Sequence, residues 1–220
     1  MTTISAAQVK ELREKTGLGL MDCKKALEGA DGDIELAIEE LRKTSGIKAS
    51  KKSGRSAADG LVAITSKDTN YFMIEINCET DFVARDDSYI AFTNETLDAY
   101  SNNPKYSLKE LLENGVEGNR EKLVQKLGEN IVVRRISKTE ESSITGSYLH
   151  SNQKIGCIVS LEGGNKALAN DIAMHVSATD PMAISPSDIS EDVIAKEREI
   201  FKAQSEESGK PPEIVEKMIE

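Results

Sequence analysis

The chain has no tryptophan, only four phenylalanines and five tyrosines among 220 residues, and an apolar share of 38%. Such a sequence builds modest cores, in one large domain or in two to three small ones. It has two histidines and three cysteines, Cys23, Cys78 and Cys157, far apart and with no C-x-x-C pair. That spacing gives neither a zinc site nor a disulfide framework and fits reduced thiols in a cytoplasmic protein. No apolar run approaches the roughly 20 residues of a membrane span. The start, Met1-Thr2-Thr3-Ile4, lacks the basic and apolar regions of a signal peptide. There is no P-loop and no G-x-G-x-x-G after a strand, so no nucleotide cofactor is expected. Positive charge is also short: the net charge is −10. An acidic chain is not a general binder of nucleic acid or anionic membrane and suits a specific protein partner.

What is present is organised in stretches. Residues 1–44 read as three helices. Ser5-Ala6-Ala7-Gln8 is a capping box, Val9 and Leu12 form a stripe, and Thr16-Gly17-Leu18-Gly19 breaks the helix. A second helix is expected over about 20–28 with Cys23, Ala26 and Leu27 inward. A third carries Ile34, Ala37, Ile38 and Leu41 at i, i+3, i+4, i+7. Residues 45–58 belong to a run holding Arg42, Lys43, Lys48, Lys51, Lys52 and Arg55 and no acid, which reads as a solvated, partly helical linker rather than a nucleic-acid arm, since it lacks stacking aromatics.

An internal repeat follows. Phe72, Ile74, Ile76, Cys78 and Glu79 align with Ile155, Cys157, Val159, Leu161 and Glu162. A short strand precedes each segment (60–64 and 146–150), and a helix follows each (88–100 and 166–178). The first copy adds a helix near 120–127 and a third strand, 131–136. The expected fold class is α+β: a three-helix module (1–44), a basic linker (45–58), core half 1 (59–140), an incomplete core half 2 (141–180) and a truncated helical hairpin (181–220).

The most informative stretch is Asn77-Cys78-Glu79-Thr80-Asp81-Phe82-Val83-Ala84, where an alternating strand delivers an acid and an aromatic side by side to its mouth. On local grounds Asp81 can cap a turn while Phe82 packs in the core, or the pair can probe a partner. Positions after Glu162 in the second copy are Gly163 and Gly164, so the scaffold can be built without the pair, which favours function. Enzyme readings are thin. Cys78, Asp81 and His150 can be drawn as a thiol triad, but Cys78 alternates with Ile74 and Ile76 as a core thiol would, and His175 sits between Met174 and Val176 on a helix.

The motifs Lys-Glu-Leu-Arg-Glu-Lys-Thr-Gly (10–17), Met-Asp-Cys-Lys-Lys-Ala-Leu (21–27), Thr-Asp-Phe-Val (80–83), Gly-Glu-Asn-Ile-Val-Val-Arg-Arg (128–135) and Ile-Ala-Met-His-Val (172–176) occur in this order. Together they resemble the bacterial elongation factor Ts family, over essentially the whole chain and without that family's C-terminal part. The resemblance implies a ubiquitin-associated-like N-terminal module, a guanine-nucleotide exchange activity without bond-making chemistry, and elongation factor Tu as partner, in a homodimer or a 2:2 complex. It implies that Thr80, Asp81, Phe82 and Val83 disturb the partner's Mg²⁺ site and that His150 contacts its phosphate-loop side. Arg13, Leu20 and Met21 would dock the N-terminal module, with Leu20 standing where the family more often has methionine. A ubiquitin-associated-like adaptor without exchange activity is the alternative.

Overall fold

A computed structural model of the chain describes residues 4–139 and 144–207, the last four of these as backbone alone. It divides into two compact units, Met1–Ser177 and Ala178–Glu220. The architecture is α+β, as expected.

The first unit opens with three helices, α1 (Ala6–Thr16), α2 (Leu20–Gly29) and α3 (Ile34–Lys52). The capping box is formed: Gln8 N donates to Ser5 Oγ at 3.2 Å and Ser5 N to Gln8 Oε1 at 3.0 Å. Val9, Leu12, Leu18, Cys23, Leu27, Ala30, Ala37 and Leu41 make a small core of their own, with Ala26, Ile34 and Ile38 packed at its edge.

The linker expected over 45–58 is helical as far as Lys52. Ser45 and Ala49, four residues apart and both buried, lie one above the other on α3. Small side chains on that stripe let the helix pack against the segment Glu117–Leu127, while Arg42, Lys43 and Lys51 are exposed. Lys52 Nζ donates to the Gly128 carbonyl. Beyond the helix, Asn130 Nδ2 donates to the Arg55 carbonyl at 2.8 Å. The run is therefore helical for most of its length and largely exposed, as expected, and is tied to the core at these points.

A three-stranded antiparallel sheet follows, in the order β1 (Asp59–Lys67), β2 (Asn70–Cys78), β3 (Val132–Lys138). Between β2 and β3 come a single turn, α4 (Asp81–Ala84), the long α5 (Asp87–Asn102), a short α6 (Leu108–Leu111) and α7 (Glu117–Leu127). The alternation read from β2 holds: Phe72, Ile74, Ile76 and Cys78 are all buried, in one cluster with Tyr89, Phe92, Leu97 and Tyr100 of α5. Phe72 meets Tyr100 edge-on at 5.4 Å, and the Tyr89 hydroxyl donates to the Ile76 carbonyl at 2.6 Å. Gly60 lies at φ +145°, where a Cβ would fall 2.2 Å from the Ile76 carbonyl oxygen; only glycine lets β1 approach β2 there.

The second sheet has two antiparallel strands among the described residues, β4 (Ile144–Leu149) and β5 (Gly156–Leu161). Helix α8 (Lys166–Thr179) buries Ala169 and Ala173, and at Gly146 a Cβ would come within 2.5 Å of the Ala169 backbone. The β4–β5 turn is tied to β1: Val62 N donates to the Gln153 carbonyl at 2.7 Å, and Lys154 Nζ meets the Asp59 carboxylate at 2.9 Å. That ion pair holds the Asp59 carboxyl below its ordinary range. No residue of β5 is fully buried, whereas most of β2 is. A two-stranded sheet is marginal alone. Amides of β4 and β5 are therefore expected to exchange about tenfold or more faster than those of β1–β3, as hydrogen exchange read by mass spectrometry will measure; equal protection in both sheets would contradict this.

The second unit carries a short turn at Pro186–Asp188, closed by a capping box from Ser185, and α9 (Glu191–Glu207). The returning arm of the expected hairpin lies outside the described residues.

Candidate functional site

At the end of β2 the chain turns from strand into α4 within two residues. Thr80 is the N-cap, its hydroxyl facing Val83 N at 3.4 Å. A one-turn helix has too few internal bonds to persist by itself. The stabilising contacts come from fifty residues further along the chain. Glu129 Oε2 accepts from Glu79 N and from Thr80 N, both at 3.0 Å, and Glu129 Oε1 accepts from the Thr80 hydroxyl at 2.7 Å. In return Glu79 Oε1 accepts from Asn130 N at 2.6 Å, and Arg55 pairs with the same carboxylate at 3.5 Å. Two neighbouring acids thus clamp the mouth of β2 to the start of β3. Backbone N–H groups that would otherwise need water are held by a carboxylate, a stronger acceptor than a neutral group.

On this frame Phe82 is 83% exposed. The core reading of Phe82 does not hold: its ring stands in solvent, and Val83 and Ala84 are the residues of α4 that meet the core. Asp81 is half-buried and pairs with Arg85 at 3.0 Å. The sheet therefore presents an exposed ring beside a carboxylate, on a turn whose backbone is clamped. Val83 shares the segment but faces inward.

His150 sits just beyond β4 rather than within it. Its Nδ1 is 2.8 Å from the Tyr148 hydroxyl, its N–H donates to the Ile155 carbonyl at 2.9 Å, and its carbonyl accepts from Gln153 N at 2.8 Å. The turn it opens is the one tied to β1 through Val62 and Asp59. Asp59 lies directly opposite Cys78 in the β1–β2 register, so the fold brings the His150 turn to the same end of the sheet as the Thr80–Phe82 segment. Leu20 and Met21, 55% and 60% exposed, start α2, and Arg13 is exposed near the end of α1. These three lie on the N-terminal helices, apart from the first group in the fold.

The thiol-triad reading fails on Cys78. The side chain is fully buried, its Sγ directed at the Thr80 carbonyl at 3.2 Å, and burial pushes the thiol up to about 11. A protonated, solvent-excluded thiol is not a nucleophile. Glu79, Glu129 and Asn130 had no assigned role in the sequence. The only available signal was the Gly128 helix stop followed by an acid, since Glu129 meets its partners only through the tertiary fold.

Comparison with known proteins gives the chain a family. The family profile described as "Elongation factor TS" matches residues 79–220. "Elongation factor Ts" of Hahella chejuensis is 53% identical over 222 residues, covering all of this chain and 77% of that protein. The protein of the same name from Francisella tularensis subsp. novicida is 50% identical, with all of this chain and 77% of that one covered. That of Arthrospira platensis is 48% identical, and there this chain spans 92% of the relative. With about half of its residues shared along its whole length, the chain belongs to the elongation factor Ts family of translation elongation factors.

Proposed function

We infer that the chain promotes release of GDP from the GTPase elongation factor Tu in the cytoplasm, as a nucleotide exchange factor that makes no bond itself. The observation that carries this reading is the exposed Phe82 ring beside Asp81, on a turn held by Glu129. A large apolar side chain held out on a clamped backbone is pre-organised, so a partner can bury it at little cost in ordering the turn. Inserted beside the partner's Mg²⁺ site, Phe82 adds a wedge and Asp81 a negative charge where metal and phosphate are bound. His150, on a turn at the same end of the sheet, acts on the phosphate-loop side. The mechanism is linkage: if this chain weakens GDP binding by some factor, GDP weakens binding of this chain by the same factor. Abundant GTP then refills the site and expels the factor.

The test is release of labelled GDP from elongation factor Tu with and without this chain. Acceleration supports the reading; binding without acceleration would support the adaptor instead. In this scheme the N-terminal module, ubiquitin-associated-like in type, supplies affinity through Arg13, Leu20 and Met21. Leu20→Ala with Met21→Ala is expected to raise the factor concentration for half-maximal exchange about tenfold or more, as loss of two exposed apolar side chains that the partner would bury implies. The rate at saturation is expected to stay within about twofold, because the wedge is untouched. Titrated GDP-release curves measure both quantities. Whether the complex is 1:1 or 2:2 follows from its mass in solution.

A further inference from the structure

Where the N-terminal helices meet α7 there is a cavity of about 150 Å³, with Leu18 and Leu41 in its walls. Three cations from three helices line it: Lys15 of α1, Arg42 of α3 and Lys122 of α7. Lys15 is already paired, with Glu11 at 3.2 Å and Glu35 at 3.7 Å. Arg42 has no ion pair among the described residues, and Lys122 reaches only Asn119 Oδ1, at 3.5 Å. Gln125, also in the lining, is 9% exposed, and its Nε2 is buried with no hydrogen-bond partner among the described residues. Arg42 and Lys122 thus bring two cations without a carboxylate partner among the described residues to one cavity, from two different helices.

One anionic group with several acceptor oxygens can pair with both cations. The guanidinium fork suits a planar or tetrahedral oxyanion, and a lysine adds a point charge from another side. We propose that this cavity binds a phosphate group, between Arg42 and Lys122. The site stands out in a chain of net charge −10. It is independent of the exchange reading, since none of its residues belongs to the Thr80–Phe82 segment or to the docking face.

The experiment titrates the full chain with inorganic phosphate and, separately, with phenyl phosphate, holding ionic strength constant with chloride. The readouts are titration calorimetry and the NMR signals of the Gln125 side-chain amide. Saturable binding with a millimolar Kd is expected. The double variant Arg42→Gln with Lys122→Gln is expected to raise Kd about tenfold or more; both positions are exposed, so the fold is expected to survive, and circular dichroism checks it. Lys10→Gln, at an exposed pair with Glu14, is expected to leave Kd unchanged. Tighter binding of phenyl phosphate supports the site as one for a phosphate carried on a larger molecule, using the Leu18 and Leu41 walls; equal affinity supports free phosphate. Shifts that grow linearly without saturation would overturn the proposal, as would a folded double variant that binds both probes as well as the parent.

Discussion

Replacing Phe82 by alanine is expected to weaken stimulation of GDP release roughly 10- to 150-fold, while the melting temperature moves by no more than about 2 °C. The first figure follows from about 1.5–3 kcal/mol for burying a phenylalanine side chain, here against the nucleotide-free partner. The second follows from exposure: a ring 83% in solvent contributes little to the core. Asp81→Ala is expected to act in the same direction. Its pair with Arg85 is exposed, and such pairs are worth roughly 0–1 kcal/mol, so its loss leaves the fold intact. Melting and GDP release measured on the same preparations decide the matter. A Phe82→Ala protein that melts early but exchanges normally would return the ring to a structural role.

Glu129→Ala is the second large effect expected, and it acts at a distance from the partner. The carboxylate receives two backbone N–H groups and one hydroxyl at the base of α4. Water can replace part of this, because Thr80 is exposed. The expected cost to stability is about 1–3 kcal/mol, and the larger consequence is a turn no longer held in one orientation. Stimulated exchange is expected to fall about tenfold, the equivalent of about 1.4 kcal/mol in the transition state. Amide protection at Glu79 and Thr80 should fall with it. Glu129→Gln separates framework from charge: its amide oxygen can still accept from both N–H groups, and most of the exchange activity is expected to return. If Glu129→Gln were as inactive as Glu129→Ala, the negative charge itself would be the requirement.

The elements that could be read in the sequence are those whose pattern is local. Strand β2 alternates cleanly because one face packs on α5, and the capping box of α1 lies within four residues. The same logic placed α5, α7 and β3 to within a few residues. Helix α3 ran past its expected end because Ser45 and Ala49 bury by smallness rather than by hydrophobicity, and an apolar stripe is all that a periodicity argument can see. For Phe82 the sequence left core and wedge open, since an aromatic after a strand suits either; its exposure is a property of the turn that α4 makes. Glu129 was out of reach because its value depends on contacts with residues fifty positions earlier. His150 fell one residue outside its strand, where β4 gives way to the turn.

The unbroken α3 also bears on the thermodynamics of the two-point recognition proposed above. Nineteen residues of helix make a strut roughly 28 Å long, anchored to the core through Ala49, Lys52 and the residues that Asn130 holds. A flexible tether would let the N-terminal helices sample many positions, and the effective concentration of one contact once the other had formed would be diluted over that volume. A strut pays this positional entropy during folding instead. The second contact then arrives almost free of conformational cost, provided the partner's two surfaces lie at the span the strut fixes. The same rigidity is a filter: a GTPase with both surface features at another spacing could engage one end or the other, but gain no avidity from having both.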